Sequence, residues 1–328
     1  MIKKTLFVAS LCLASAGLAI ELSSASSQAE TRIVAQQPAS NVSTPAANSK
    51  PPQIELLNPG AEPRQQLRFK PAINVTETTV MTVKMDMKIS ASGRLSPVAK
   101  IPVSAITFET KVTKIDANGD IHYEFVYINA DIASDTGNTP PAAGNAMRSA
   151  LQKIVGVKGS FIMDNRGFYK GGDFIVPKEV DNNFQQMIQQ MSKSLEQLSS
   201  PLPVEAVGKG AKWRVTSSNL MGINVNNIAT YELVSLQDGV VSLNIDVQQQ
   251  AKSQNFTAPQ IPAGTTITLK SLTSQGQGKV TGRLDRLMPF QSTVSFTSNT
   301  EMSAKSAGSS EESIITTKMS MEMNLESK

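Results

Sequence analysis

The sequence predicts a mainly β protein: a curved antiparallel sheet, or an open barrel or sandwich, built from two halves that look duplicated, with one amphipathic helix between them. Three observations carry this expectation. Apolar and polar residues alternate one by one over many segments, the period of a strand with one buried face. Turn sequences rich in Asp, Asn and Gly separate those segments. The alternation gives way once, between residues 177 and 198, to apolar spacings of three and four.

Met1, Ile2, Lys3 and Lys4 form a basic start, Thr5 to Ile20 an apolar stretch, and Ser27-Gln28-Ala29 ends in small residues suited to cleavage. This is the pattern of a Sec-type signal peptide over residues 1–29, with cleavage expected after Ala29 and export to the periplasm or the extracellular space. The apolar stretch falls short of the roughly 20 residues of a spanning helix, and no later segment is apolar for that long, so no transmembrane span is expected after cleavage. Cys12 leaves with the signal, and Leu11 directly before it does not suit lipoprotein-type processing. Disulfides, thiolate metal sites and cysteine nucleophiles go with it. Losing Lys3, Lys4 and Glu21 lowers the formal net charge of +4 by one. The cations are scattered among carboxylates rather than striped with aromatics, so nucleic acid is not an expected partner. Residues 30–66, rich in Ala, Ser, Pro, Asn and Gln, read as a disordered tether to a β-rich domain over 67–328.

Within that domain the first strand places Met81, Val83, Met85, Met87 and Ile89 on one face and Thr82, Lys84, Asp86 and Lys88 on the other. Ile106, Phe108 and Val112 follow, then the turn Asp116-Ala117-Asn118-Gly119-Asp120, then Ile121, Tyr123, Phe125 and Tyr127: a hairpin. The apolar set next moves to Val126, Ile128, Ala130 and Ile132, which predicts a bulge near Val126. A strand from Val157 to Met163 meets the turn Asp164-Asn165-Arg166-Gly167 and resumes at Phe168. The linking helix, 177–198, carries Val180, Phe184, Met187, Ile188, Met191, Leu195 and Leu198 on one face, with Pro177 in its first turn and Ser199-Ser200-Pro201 at its end.

After the helix the strand pattern returns at Trp213 and Val215, at Tyr231 and Leu233, and at Val241, Leu243, Ile245 and Val247 beyond the turn Gln237-Asp238-Gly239. Further strands carry Ile267 and Leu269, Val280 and Leu284, then Phe290, Val294 and Phe296, and a last one runs from Ile315 to Leu325. The halves 67–176 and 202–328 echo each other in their Asp/Gly hairpins and in Gly159 to Asp164 against Gly282 to Asp285. The strongest echo is Lys84-Met85-Asp86-Met87 against Lys318-Met319-Ser320-Met321, which points to a duplication. Pairing of the first strand with the last would let the sheet curl back on itself.

The segment Leu202-Pro203-Val204-Glu205-Ala206-Val207-Gly208-Lys209-Gly210-Ala211-Lys212-Trp213 resembles one that recurs in exported, often cyanobacterial, β-rich proteins of a family with no assigned activity. There a proline-led turn and a glycine precede a strand that opens with Trp. The resemblance implies export and β architecture from about Leu67 onward, and it carries over no functional residue. In arrangement alone the chain is similar to periplasmic lipoprotein carriers, whose curved sheet holds acyl chains beneath helices.

Candidate chemistry is sparse. His122, the one histidine, shares a strand face with Glu124, the pairing from which a hydrolase reading would start. No Gly-x-Ser-x-Gly elbow accompanies it, and no catalytic residue is assigned. Asp116, Asn118 and Asp120 begin like a calcium loop, but Tyr127 stands where its bidentate Glu belongs, so they read as a turn and no metal or cofactor is expected. Thioethers at alternate strand positions suit Cu(I), yet Val and Ile continue the same faces, which favours a core or the wall of an apolar site. The helix has too few basic residues on its polar face for a membrane surface, so it is expected to pack on the sheet.

The expected ligand wall is Met81, Met85, Met87, Met319, Met321 and Met323 with Phe184, Met187 and Met191 of the helix. The chain thus reads as a non-catalytic, exported or envelope-associated binding protein that holds an apolar small molecule or lipid between sheet and helix. The alternatives are an interaction or structural module with an envelope protein as partner, and a hydrolase using His122.

Overall fold

The computed structural model describes residues 51–91, 94–95, 99–134, 141–175, 185, 188, 201–220, 223–256, 265–305 and 312–328. The first half contributes β1 (Gln53–Asn58), β2 (Thr76–Ala91), β3 (Arg94–Leu95), β4 (Ala99–Lys100), β5 (Val103–Ile115), β6 (Ile121–Ser134), α1 (Pro141–Gln152), β7 (Lys158–Met163) and β8 (Tyr169–Ile175). The second contributes β9 (Lys212–Leu220), β10 (Ile223–Gln237), β11 (Val240–Ala251), β12 (Gln254–Phe256), β13 (Thr266–Arg283), β14 (Gln291–Lys305) and β15 (Ser313–Ser327). All fifteen strands join one antiparallel sheet in the order β1-β9-β10-β11-β13-β14-β15-β2-β5-β6-β7-β8, with β3 and β4 against β2 and β12 against β13. It does not close into a barrel, and β1 and β8 are its two edges.

The expected union of first and last strands is the seam of this sheet. β2 and β15 pair antiparallel with Val83 opposite Met323, Met85 opposite Met321 and Met87 opposite Met319, while Lys84 faces Glu322 on the outer side. This changes the meaning of the Lys-Met echo. Its two copies are partners across the seam, whereas a repeat would place them at matching positions of the two halves. The Asp/Gly hairpins do match in order: β5–β6 and β10–β11 each join the second and third long strands of a half. Asp238 (φ 51°) and Gly239 (φ 74°) make the left-handed turn that the second hairpin needs.

Two expectations are revised, and a third falls mostly outside the described residues. The bulge in β6 falls at Ile128, two residues beyond Val126: Tyr127 pairs with Phe108 and Asn129 with Thr107, leaving Ile128 unmatched and 43% exposed. Val126 is an outward residue of the regular strand, and its hydrophobicity misplaced the switch. The tether expected over 30–66 gives way to ordered structure from residue 51, because Ile54 and Leu56 alternate on β1 and pack on the second-half core. The helix expected over 177–198 lies outside the described residues except for Gln185 and Ile188, both helical. A helix that the sequence did not suggest, α1, lies inside the first half. It offers only Met147 and Leu151 at a spacing of four, with Ile154 just beyond, too short an apolar face to stand out from the sequence.

One face of the sheet is buried along its length, and the opposite face carries Lys84, Asp86, Lys88 and their like. The sheet rolls far enough that Val112, Ile121 and Met163 of the first half share a core with Trp213, Tyr231 and Leu243 of the second. Trp213 stacks on Tyr231 with ring centres 5.5 Å apart, and both are fully buried. A strap over residues 59–70 ties the roll together. Ala61 N–H donates to the Lys209 carbonyl, Gln65 bridges to Val207, and Phe69 N–H donates to the Asn165 carbonyl. Gly60, at φ 79°, and Gly208 lie where the strap touches the second half, and a Cβ on Gly208 would run into the Ala61 carbonyl oxygen. The Gly-before-Trp motif thus has a local reason.

A buried carboxylate clamps the seam from below. Glu77, 3% exposed at the start of β2, accepts N–H bonds from Leu287 (2.7 Å) and Met288 (2.5 Å) in the turn between β13 and β14. Replacing it with Ala leaves two buried donors unpaired. Glu77→Ala is expected to lose roughly 2–5 kcal/mol, read as a lower urea midpoint with unchanged slope. Gly208→Ala is expected to expose residues 51–66 to limited proteolysis in a chain whose remaining core still unfolds cooperatively.

Candidate functional site

The inner face divides into two chemically different cores. Under the second half the residues are compact and stiff: Trp213, Tyr231, Leu233, Leu243, Ile245 and Val247. Under the first half and the seam they are methionines and phenylalanines. Met81, Val83, Met85 and Met87 of β2 meet Met321, Met323 and Leu325 of β15, and Phe108, Phe125, Tyr127 and Phe161 continue the wall across β5 to β7. Of the six strand methionines expected in a ligand wall, all face inward in this cluster. Met81 is 1% and Met323 0% exposed, while Met319 is half-buried at the margin of both cores.

The aromatic part of this wall was not singled out in the sequence, although Phe125 and Phe161 sit at inward positions of alternating strands. Their rings stack at 5.6 Å, and Phe174 of the edge strand β8 meets them edge-on at 5.5 and 5.2 Å. Gly159 makes room: a Cβ there would strike both Phe125 and Phe161. Helical residues cover the same core, Met147, Leu151 and Ile154 of α1 and its exit, together with Ile188. Phe184, Met187 and Met191 lie outside the described residues.

Above the methionines runs a second feature missed in the sequence. The inward positions Ser217, Asn227, Gln249, Ser274 and Ser298 stand directly opposite one another on β9, β10, β11, β13 and β14, and all five are buried. Asn227 Nδ2 donates to Ser217 Oγ (3.0 Å), Gln249 Nε2 to Asn227 Oδ1 (3.2 Å), and Ser274 Oγ to Ser298 Oγ (2.9 Å). The signal was legible: Gln249 continues the inward set Val241, Leu243, Ile245, Val247 where another aliphatic residue belongs. In the same register Ser298 faces Met319, and Met319 faces Met87, so the polar row runs into the methionine wall.

His122 sits at the mouth of the β5–β6 hairpin with its Nε2 2.6 Å from Asp116 Oδ2, while Lys114 Nζ lies 2.7 Å from the other oxygen. Its partner is thus Asp116, not Glu124. Hydrogen bonds from Lys114 first, and then from the His122 ring, hold the Asp116 carboxyl below the usual range. In the same turn Gly119 adopts φ 86°, and Asp120 is bound through both oxygens by Lys170 Nζ (2.9 and 2.7 Å). The carboxylates that opened the calcium-like spacing are taken up by cations of the protein, as a hairpin turn requires. On the outer face, a trough of ≈ 510 Å³ crosses β11 to β2 and is lined by exposed side chains such as Lys84, Asp86, Asp246, Gln248, Gln277 and Glu322.

These features define a class: an unclosed antiparallel roll with a hydrogen-bonded outer surface and an apolar, methionine- and phenylalanine-lined interior under helical cover. The model of DUF6263, a family of unknown function, matches residues 177–285, which contain β9 to β13, Trp213 and four members of the polar row. The similarity read from residues 202–213 lies inside that stretch. No curated protein matches the chain. Among the described residues no helix is long and apolar enough to cross a membrane.

The hairpin pairs set a pH dependence. Lys170 holds the Asp120 carboxyl below its ordinary value, and Asp120 raises Lys170 in return. A depressed carboxyl stabilises the fold above its unfolded value, near 3.9, and the contribution fades as pH falls through the folded value. The raised lysine contributes below its unfolded value, near 10.4, and is lost as pH climbs past the folded one. Asp120→Asn is therefore expected to lower the denaturation midpoint at neutral pH, with a difference from the parent chain that shrinks to nothing in strong acid.

Proposed function

We propose that the chain is an exported, non-catalytic binding protein that takes an apolar ligand between the methionine- and phenylalanine-lined sheet face and its helical cover. The observation that carries this reading is the contrast between the two cores. One sheet contains both, yet only the half under helices replaces branched aliphatic residues with unbranched thioethers, side chains that repack around irregular or variable shapes. A core selected for rigidity alone has no need of the difference. Aromatic rings along β6 to β8 extend the apolar surface toward the open edge of the sheet, where a ligand has a way in. Hydrolysis at His122 finds less support: the ring is tied to Asp116 in a hairpin whose two acids are held by Lys114 and Lys170.

Export rests on the signal-like residues 1–29. Mass spectrometry of the protein from cells that make it is expected to find a chain starting at Glu30 outside the cytoplasm, and an uncleaved cytoplasmic chain overturns that part of the proposal.

The binding itself is tested with straight-chain primary alcohols of increasing length, competing with a fluorescent apolar probe. Burial of each added methylene is worth about 0.8 kcal/mol, about fourfold in affinity. A one-to-one, saturable series that tightens in this way up to a limiting length is the expected result. Absence of saturable binding, or affinity indifferent to length, overturns the reading.

A further inference from the structure

We infer that the row Ser217, Asn227, Gln249, Ser274 and Ser298 receives the uncharged, hydroxyl-bearing head of an amphiphile whose chain lies along the methionine wall. This rests on the proposal of an apolar ligand at that wall and specifies its chemical class. Five adjacent strands, about 4.8 Å apart, carry the row over roughly 19 Å. The row on one side is apolar, with Met85, Met321, Phe296, Val247, Ala229 and Val215. The row on the other joins Ile89, Leu272, Ala251 and Val225 to the uncharged hydroxyls of Thr300 and Thr317. Polar side chains seldom hold so central a position unless hydrogen bonds satisfy them.

Here the bonding is incomplete at one place. Ser217, Asn227 and Gln249 form one linked group and Ser274 and Ser298 another, but Gln249 and Ser274, directly opposite, are not joined. Gln249 is 6% exposed, and among the described residues no donor reaches its Oε1. That oxygen is also not one of the sealed, unpaired atoms, which among the described residues are Trp213 Nε1 and Ser292 Oγ. A small polar group therefore has access to it. On the other side of the break Ser298 accepts from Ser274, leaving its own proton to give. An open acceptor on β11 and an available donor on β14, two strands apart with Ser274 between them, complement a hydroxyl-bearing head, whose groups both donate and accept. Neither the row nor the rows beside it contain Lys or Arg, so a phosphate or carboxylate placed there would be a buried charge without a counter-ion. The row selects a neutral head.

The test uses the full chain and two probes with the same palmitoyl chain, a monoacylglycerol and a lysophosphatidate. The parent chain is expected to prefer the monoacylglycerol by about tenfold or more, the scale of a hydrogen bond against an uncompensated buried group. Gln249→Leu is expected to erase the preference while the dependence on alcohol length persists. Ser298→Ala, which removes a single oxygen, is expected to narrow it and serves as the readout if Gln249→Leu no longer unfolds cooperatively. Equal affinity for the two heads, a preference for the anion, or a preference untouched in both variants overturns the inference alone. Failure of both probes to bind, together with a flat alcohol series, overturns the apolar-ligand proposal with it.

Discussion

Everything in this fold depends on the pairing of β2 with β15. It joins residues 79–91 to residues 315–327 across more than two hundred positions of chain, and without it the sheet falls into two separate meanders. Closing so long a loop costs conformational entropy that only the finished ladder and the core beneath it offset. The residues at the seam suit that task. Opposed methionines adapt to each other's rotamers, and the outward Lys84 and Glu322 bring unlike charges across the same two strands. Folding by this route waits on the last strand, a slow, non-local topology.

Two further constraints convert a long sheet into a roll with an inside. Glu77 draws the β13–β14 turn against the start of β2, and the strap over residues 59–70 pins the β7–β8 turn to the approach to β9. Both act at the same end of the molecule, where the two halves meet in the Trp213 core. Farther from that end the polar row crosses the sheet, with Val225, Ala251 and Leu269 beyond it. The interior is graded from a rigid, satisfied base through methionines and phenylalanines to hydroxyls and amides. That grading suits an amphiphile better than a purely apolar guest, because burial of its head would otherwise cost unpaired polar groups.

Much of this was legible from alternation alone. Period two located nearly every long strand, because each has one buried and one exposed face, and Asn118-Gly119 and Asp238-Gly239 marked their hairpins. What escaped is also physically explicable. β1 is six residues held mainly by pairing to β9, so its own sequence says little. Helix α1 rests on two apolar residues one turn apart and takes its stability from the sheet below. The inward row of Ser, Asn and Gln emerged only when five strands were set in register, since each residue alone looks like an ordinary polar position in its strand. His122 shows the converse: the sequence neighbour Glu124 suggested a pair, and the hairpin supplied Asp116 instead.

Among the described residues the unclosed sheet ends at β1 and β8, and such edges invite other copies of the chain to add strands. Both edges are poor templates. β1 is short, and β8 contains Gly171 and Gly172, with Gly172 at φ 126° and pressed so closely on Ser160 and Phe161 that no larger residue fits, between Lys170 and Asp173. Short length, irregular backbone and flanking charge are the means by which natural sheets resist edge-to-edge growth. The glycine pair that loosens β8 therefore serves colloidal stability: it lets the protein keep an open side without becoming the seed of a fibre.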